Sequence, residues 1–261
     1  MSSNDTISKT FVVAGSLCIV CSILVSVMAV SLKPTQLKNK DLDKKKNILM
    51  AAGLYENPET IDEVFNQKIK GRVVDLATGD YINTLDANTV DTKEAAKNPA
   101  TSDLIPAGKD LGGIKRRAKH TVIYEVIENG AIEQVVLPVY GKGLWSTLYG
   151  FLAVKADGNT IIGLGFYEHA ETPGLGGEVD NPRWKALWKG KKIYDENWNL
   201  KVEVLKGQVL PNSPNLDYQV DGLSGATITA RGVGNLLRYW MGDEGFSKYL
   251  TKLRQGGLEN G

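Results

Sequence analysis

Cysteine is almost missing from this chain. Two occur among 261 residues, Cys18 and Cys21, both in an apolar N-terminal stretch. The remainder therefore has neither a disulfide framework nor a thiolate metal site. That lack fits an oxidising compartment without proving one. Histidine is as scarce: His120 and His169 are the only two, and each reads better as a surface or strand residue than as a catalyst. No charge sign dominates, with 31 basic against 30 acidic residues. A nucleic-acid partner would leave a basic footprint, so none is expected. No G-x-G-x-x-G follows a strand, so nothing argues for direct NADH binding. No tight cluster of oxygen ligands suggests a metal site. The string Gly222-Leu223-Ser224-Gly225-Ala226 approaches a nucleophile elbow but ends in Ala226, and no partner histidine can be placed. No catalytic side chain is expected. What is present is a hydrophobic content of 42 %, ordinary for a folded protein.

The longest uncharged run covers residues 10–32. About 20 apolar residues span a bilayer core, and in lipid the backbone must satisfy itself as a helix. A cleaved signal would have a shorter apolar region, roughly 7–15 residues, and a small-residue cleavage site. Neither is found. Leu17 and Val20 precede the cysteines, which also argues against lipoprotein processing. The expectation is a short tail (residues 1–10) and a retained transmembrane helix (11–32), making this an integral membrane protein. Cys18 and Cys21 share a helix face. They could form a redox or metal pair, but two small apolar residues packed in lipid is the simpler reading. Between positions 32 and 46 stand six lysines and two aspartates. Taken alone, the positive-inside rule puts this collar, and the domain after it, in the cytoplasm.

Beyond the span, residues 35–54 read as a helix with a loose apolar stripe ending at Gly53. A short helix at 61–65, a strand at 72–76 and a Thr78-Gly79-Asp80 turn follow. Residues 83–113 are polar and proline-bearing, and read as an irregular excursion. From His120 the pattern changes to short β-rich runs at 121–127, 132–139, 149–155 and 160–168, separated by turn residues, which predicts an antiparallel meander. A short helix at 181–188, a strand at 200–205 and terminal helices at 228–241 and 244–254 complete the chain. The fold class is α+β: one N-terminal transmembrane helix, a juxtamembrane helix with a smaller portion (33–119), and a sheet-centred domain with flanking helices (120–261).

The informative stretch is Asp221-Gly222-Leu223-Ser224-Gly225-Ala226-Thr227, just before a predicted helix. Open N–H groups and the positive end of the dipole at a helix N-terminus favour a phosphate. Small residues would let another protein reach the hydroxyl. A threonine alcohol needs outside activation to become a nucleophile. On residue chemistry alone, Ser224 or Thr227 acting as an ordinary N-cap is the simpler reading.

The pattern Asp221-x-x-Ser224-Gly225-Ala226-Thr227 resembles the acceptor motif of covalent flavoproteins. In that family a flavin transferase moves FMN from FAD onto the final threonine as a phosphoester. A second string, Glu171-Thr172-Pro173-Gly174-Leu175-Gly176-Gly177-Glu178, resembles the FMN-binding subunits of two related ion pumps. These are the sodium-translocating NADH:quinone oxidoreductase and the Rnf-type ferredoxin:NAD oxidoreductase. Gly141-Lys142-Gly143-Leu144-Trp145-Ser146 and Gly176-Gly177-Glu178-Val179 look more like the sodium-pump branch, whereas His169 is more a feature of the Rnf type.

The resemblance implies one covalent FMN per chain at Thr227, with Asp221, Ser224, Gly225, Ala226, Thr172, Gly174, Leu175, Gly176 and Trp145 as cofactor-binding residues. Leu175 can pack on a ring face, and Trp145 or Tyr140 can cover an edge. Taken alone, Trp145 is better read as core packing, and the Thr172–Gly177 loop as a Pro-Gly turn. The implied role is electron transfer inside a respiratory complex, with other subunits and a flavin transferase as partners. The implied location is the bacterial inner membrane with the domain on its periplasmic face, against the lysine collar. The Rnf-type flavin protein and a tethered binding module without a redox group are the alternatives.

Overall fold

The structure is a computed structural model that describes residues 7–257. Most of the expected N-terminal tail, residues 1–6, lies outside the described residues. Two units are distinguished, Met1–Lys44 and Lys45–Gly261.

The first unit is helical. α1 runs without a break from Ile7 to Ala51, with Pro34 inside it, so the expected membrane and juxtamembrane helices are one continuous element. Its apolar stretch is long enough to cross a bilayer, and none of that stretch is buried against protein. A helix that exposes valine, leucine and isoleucine all round suits lipid rather than water. It fits a single membrane anchor.

The second unit is built around one antiparallel sheet. In chain order it contains α2 (Ile61–Lys68), β1 (Ile69–Asp75), α3 (Thr92–Lys97), β2 (Ser102–Leu104), β3 (Arg116–Ala118), β4 (His120–Glu128), β5 (Ala131–Lys142), β6 (Thr147–Lys155) and β7 (Ile161–Glu168). These are followed by α4 (Pro182–Ala186), β8 (Glu203–Val204), β9 (Gln219–Val220), α5 (Thr227–Trp240) and α6 (Ser247–Arg254). The main sheet has the order β1-β4-β5-β6-β7. The expected meander is β4 to β7. β1, from the stretch expected as a smaller portion, pairs with β4 as an edge strand of the same sheet. The excursion at 83–113 contains α3 and β2, and β2 pairs with β3. The strand expected at 200–205 shrinks to the two-residue β8, parallel to β9.

The sheet is buried on both faces, because β5 sends alternate residues to opposite sides. Val135, Leu137 and Val139 join one core with Trp188, Val233, Leu236, Trp240, Phe246 and Leu250. Val136 joins a second core with Ile48, Ala51, Ala52, Val122, Tyr124 and Phe151. α5 therefore lies on one face of the sheet, along β5. Its N-terminal turn reaches the end of the sheet where β5 turns into β6 and where the chain leaves β7.

Candidate flavin site

Three loops meet at that end: residues 143–146 between β5 and β6, residues 169–180 after β7, and residues 221–226 leading into α5. The main chain of the second loop is shaped by its own residues. The Leu175 N–H donates to the Thr172 carbonyl at 3.1 Å, across Pro173 and Gly174. Gly174 has a φ of 74°. Proline followed by a residue of positive φ is the type II turn pattern. The expected Pro-Gly turn is therefore there, and it turns Leu175 toward the third loop. A Cβ placed on Gly225 would stand 3.1 Å from Leu175 Cδ2.

Glu171 joins all three segments. Its Oε1 accepts N–H bonds from Trp145 at 2.9 Å and Ser146 at 3.2 Å. Its Oε2 accepts the Thr229 hydroxyl at 2.6 Å and the Leu144 N–H at 3.3 Å. Glu171 is 5 % exposed, and among the described residues no cation pairs with it. Burial raises its pKa, but the bonds from Thr229 and from the main chain of Trp145, Ser146 and Leu144 outweigh that, and the net shift is downward. His169 fixes the backbone behind it. The Glu171 N–H donates to His169 Nδ1 at 3.2 Å, and Nε2 lies 2.8 Å from an Asp180 oxygen. Accepting at Nδ1 puts the proton of a neutral ring on Nε2, toward Asp180. Sequence reasoning gave no role to Glu171, which it quoted, nor to Thr229. For Thr229 the sequence signal is a second hydroxyl two positions after Thr227; for Glu171 there is none, since the N–H groups that hold it come together only in the fold.

α5 begins at Thr227. Its N-cap is Ala226, with φ −129° and ψ 46°, and no side chain caps it. The ordinary-cap reading of Ser224 or Thr227 is therefore overturned. Ala230 makes the first backbone bond, to Ala226. Among the described residues nothing accepts from the N–H groups of Thr227, Ile228 or Thr229. Thr227 and Ser224 are exposed, and Gly225, with φ 70°, lets the chain turn sharply before the helix.

Trp145 is 66 % exposed, which overturns its reading as a core residue. Leu144, Leu175 and Ile228 are also exposed, so the segments tied together by Glu171 present apolar side chains to solvent beside Thr227. Thr172 is exposed and Gly176 buried on the same loop. Tyr140 is not free to cover a ring edge. It stacks on Tyr149 at 5.5 Å and leans on Trp240 at 4.8 Å. The Asp221 carboxylate accepts the Val209 N–H at 2.8 Å, and its carbonyl accepts Trp184 Nε1 at 2.9 Å. It thus anchors the preceding loop. Among the described residues no group of three or more His, Cys, Asp or Glu could hold a metal.

The FMN-binding domain family matches residues 143–242, a span that opens at the 143–146 loop and closes just after α5. The chain is 49% identical over 259 residues to the C subunit of the Na(+)-translocating NADH-quinone reductase of Pseudomonas aeruginosa, covering 98% of this chain and 99% of that protein. The corresponding protein of Vibrio vulnificus is 46% identical over 258 residues, covering 99% and 100%. The chain belongs to the NqrC family, the C subunits of Na(+)-translocating NADH-quinone reductases. Membership decides between the two pump branches left open by His169. Two solved members of the family are similar in fold. NqrC of Shewanella oneidensis has a TM-score of 0.75 at 38% identity, covering 83% of this chain and 99% of its own. The family member from Parabacteroides distasonis has a TM-score of 0.66 at 30% identity, covering 84% and 97%.

Proposed function

We propose that this chain carries one FMN, joined through its phosphate to Thr227 Oγ1, and passes electrons between other subunits of a sodium-translocating NADH:quinone reductase. The observation that carries this reading is the start of α5. An exposed threonine opens a helix whose first N–H groups have no acceptor among the described residues and whose cap position holds alanine. A phosphate diester at Thr227 would lie at those groups, at the positive end of the helix dipole. Arg231 is one turn further along the same helix face and adds a positive charge. The residues therefore fit the group.

A flavin transferase would supply the activation that a threonine alcohol lacks. Oγ1 displaces AMP from the FMN phosphorus of FAD, and the hydroxyl proton is released. Leu175, Leu144, Trp145 and Ile228 offer the apolar surface that a flat aromatic ring system needs. Thr172 and the N–H groups of Gly174 and Gly176 supply polar edges. Once attached, the flavin provides the redox chemistry, and the protein provides position and electrostatics. The chain performs no catalysis alone. Residues 11–32 would anchor it in the inner membrane, with the sheet domain on the periplasmic face despite the lysine collar.

Intact-mass measurement on chain made with and without a flavin transferase tests the main claim. The expected increment is FMN less water, mapped to the peptide containing Thr227. A native protein of bare polypeptide mass, colourless after denaturation, would leave only a tethered module. Protease treatment of intact spheroplasts tests orientation, and complete protection of the sheet domain would reverse it.

A further inference from the structure

Burying an ionised carboxylate is costly unless every oxygen is satisfied. Glu171 is satisfied without a cation, by three main-chain N–H groups and one hydroxyl. The packing is close on both sides. A Cβ on Gly143 would lie 2.5 Å from Oε1; one on Gly176 would lie 2.7 Å from Oε2 and 2.6 Å from Thr229 Oγ1. Loops otherwise far apart in sequence are thus drawn onto a single anion. Apolar burial does not explain the arrangement, because Leu144, Trp145 and Leu175 on these loops face outward.

The contact to Thr229 has a particular consequence. Thr229 is the third residue of α5, where a helix would ordinarily spend N–H groups on a capping side chain. Glu171 instead takes the Thr229 hydroxyl. Its negative charge stabilises the helix start through the dipole while the N–H groups of residues 227–229 stay open.

We infer that Glu171 is the positioning residue of the acceptor site: through Thr229 and the 144–146 amides it fixes the first turn of α5 against both loops, and so sets the orientation of the Thr227 hydroxyl. This rests on the flavin attachment proposed above.

The test uses the full chain with a flavin transferase and FAD, following mass against time in Glu171→Gln, Thr229→Val and Thr229→Ser. Misplacing a reacting group by about 1 Å slows reaction by up to about a hundredfold. The two variants that break the contact should therefore gain flavin about 10- to 100-fold more slowly while remaining folded. Thr229→Ser, which keeps the hydroxyl, should restore the rate. Before modification, amide hydrogen exchange should accelerate at Trp145 and Ser146 in the slow variants and not across the sheet. If Glu171→Gln does not fold, the Thr229 pair decides. Modification of folded Thr229→Val at the unsubstituted rate, with unchanged exchange at Trp145 and Ser146, would overturn the inference and leave Thr227 attachment standing. An unsubstituted folded chain that gains no mass would overturn both.

Discussion

Among the described residues two glutamates are buried in the sheet domain, and they are held in opposite ways. Glu125, on β4, is 2 % exposed, and its partners are side chains. Tyr81 donates to it, Tyr249 donates at 3.4 Å, and Arg72 Nε lies 3.7 Å away. Those groups come from β1, from the turn after it and from α6, so the cluster ties the edge strand to the C-terminal helix. Burial, and then the neighbouring carboxylate, push the Tyr81 phenol well above its ordinary range. Glu171 is equally hidden but is held mainly by main-chain amides of loops. The first arrangement joins elements that already share a core. The second shapes a surface that no core would shape. Loss of Glu125 should thus be felt in stability, and loss of contacts around Glu171 in function.

That contrast can be broken by experiment. The largest effect should be Thr227→Val, which removes the acceptor oxygen and should abolish bound flavin. As an exposed substitution it should shift unfolding free energy by no more than about 0.5 kcal/mol, read by urea titration beside in-gel flavin fluorescence. Next comes Glu125→Ala, which removes the carboxylate that Tyr81, Tyr249 and Arg72 share. It should cost about 3–5 kcal/mol while the folded fraction still accepts flavin. A cost below about 1 kcal/mol would place the two glutamates in one class.

Gly176→Ala is smaller and mixed. Its methyl must displace either the Glu171 carboxylate or Thr229, at about 1–3 kcal/mol, and flavin addition should slow by more than the stability loss explains. The smallest effect concerns pH. The Glu171 pKa is lowered on folding from its ordinary 4.5, so its contribution is fully present above that value and is lost as pH falls through the folded one. Glu171→Gln should therefore flatten the acid limb of the stability–pH curve below about pH 4.5 and leave the neutral region parallel to the parent.

Much of the fold could be read from the residues because the determinants are local. The β4–β5 hairpin announces itself through Asn129-Gly130, both with positive φ, the signature of a two-residue turn that matches strand twist. The β6–β7 turn likewise carries Asp157-Gly158, with Asp157 accepting the N–H groups of Asn159 and Thr160. What could not be read depends on distant partners. Nothing in residues 69–75 states that they will pair with β4 rather than with a nearer strand. β2 is three residues long and exists because Arg116, Arg117 and Ala118 lie beside it.

The site divides in the same manner. The acceptor string before α5 was legible as residues. The role of Glu171 was not, because the groups that hold it are peptide N–H bonds, which every residue except proline possesses. Trp145 misled for a related reason. Tryptophan is highly buried on average, and only the loop geometry tells that this one is turned outward.

That outward indole offers an optical handle. The other four tryptophans are buried or half-buried against the body of the domain, so Trp145 is the one turned to solvent at the rim, while Trp184 lies behind the acceptor loop through its bond to the Asp221 carbonyl. Indole emission overlaps flavin absorption, and excitation energy would drain from Trp145 into a nearby isoalloxazine. Comparing the parent with a Trp145→Phe chain should isolate the part of the fluorescence change that comes from the rim indole, giving a continuous readout of maturation without labelling.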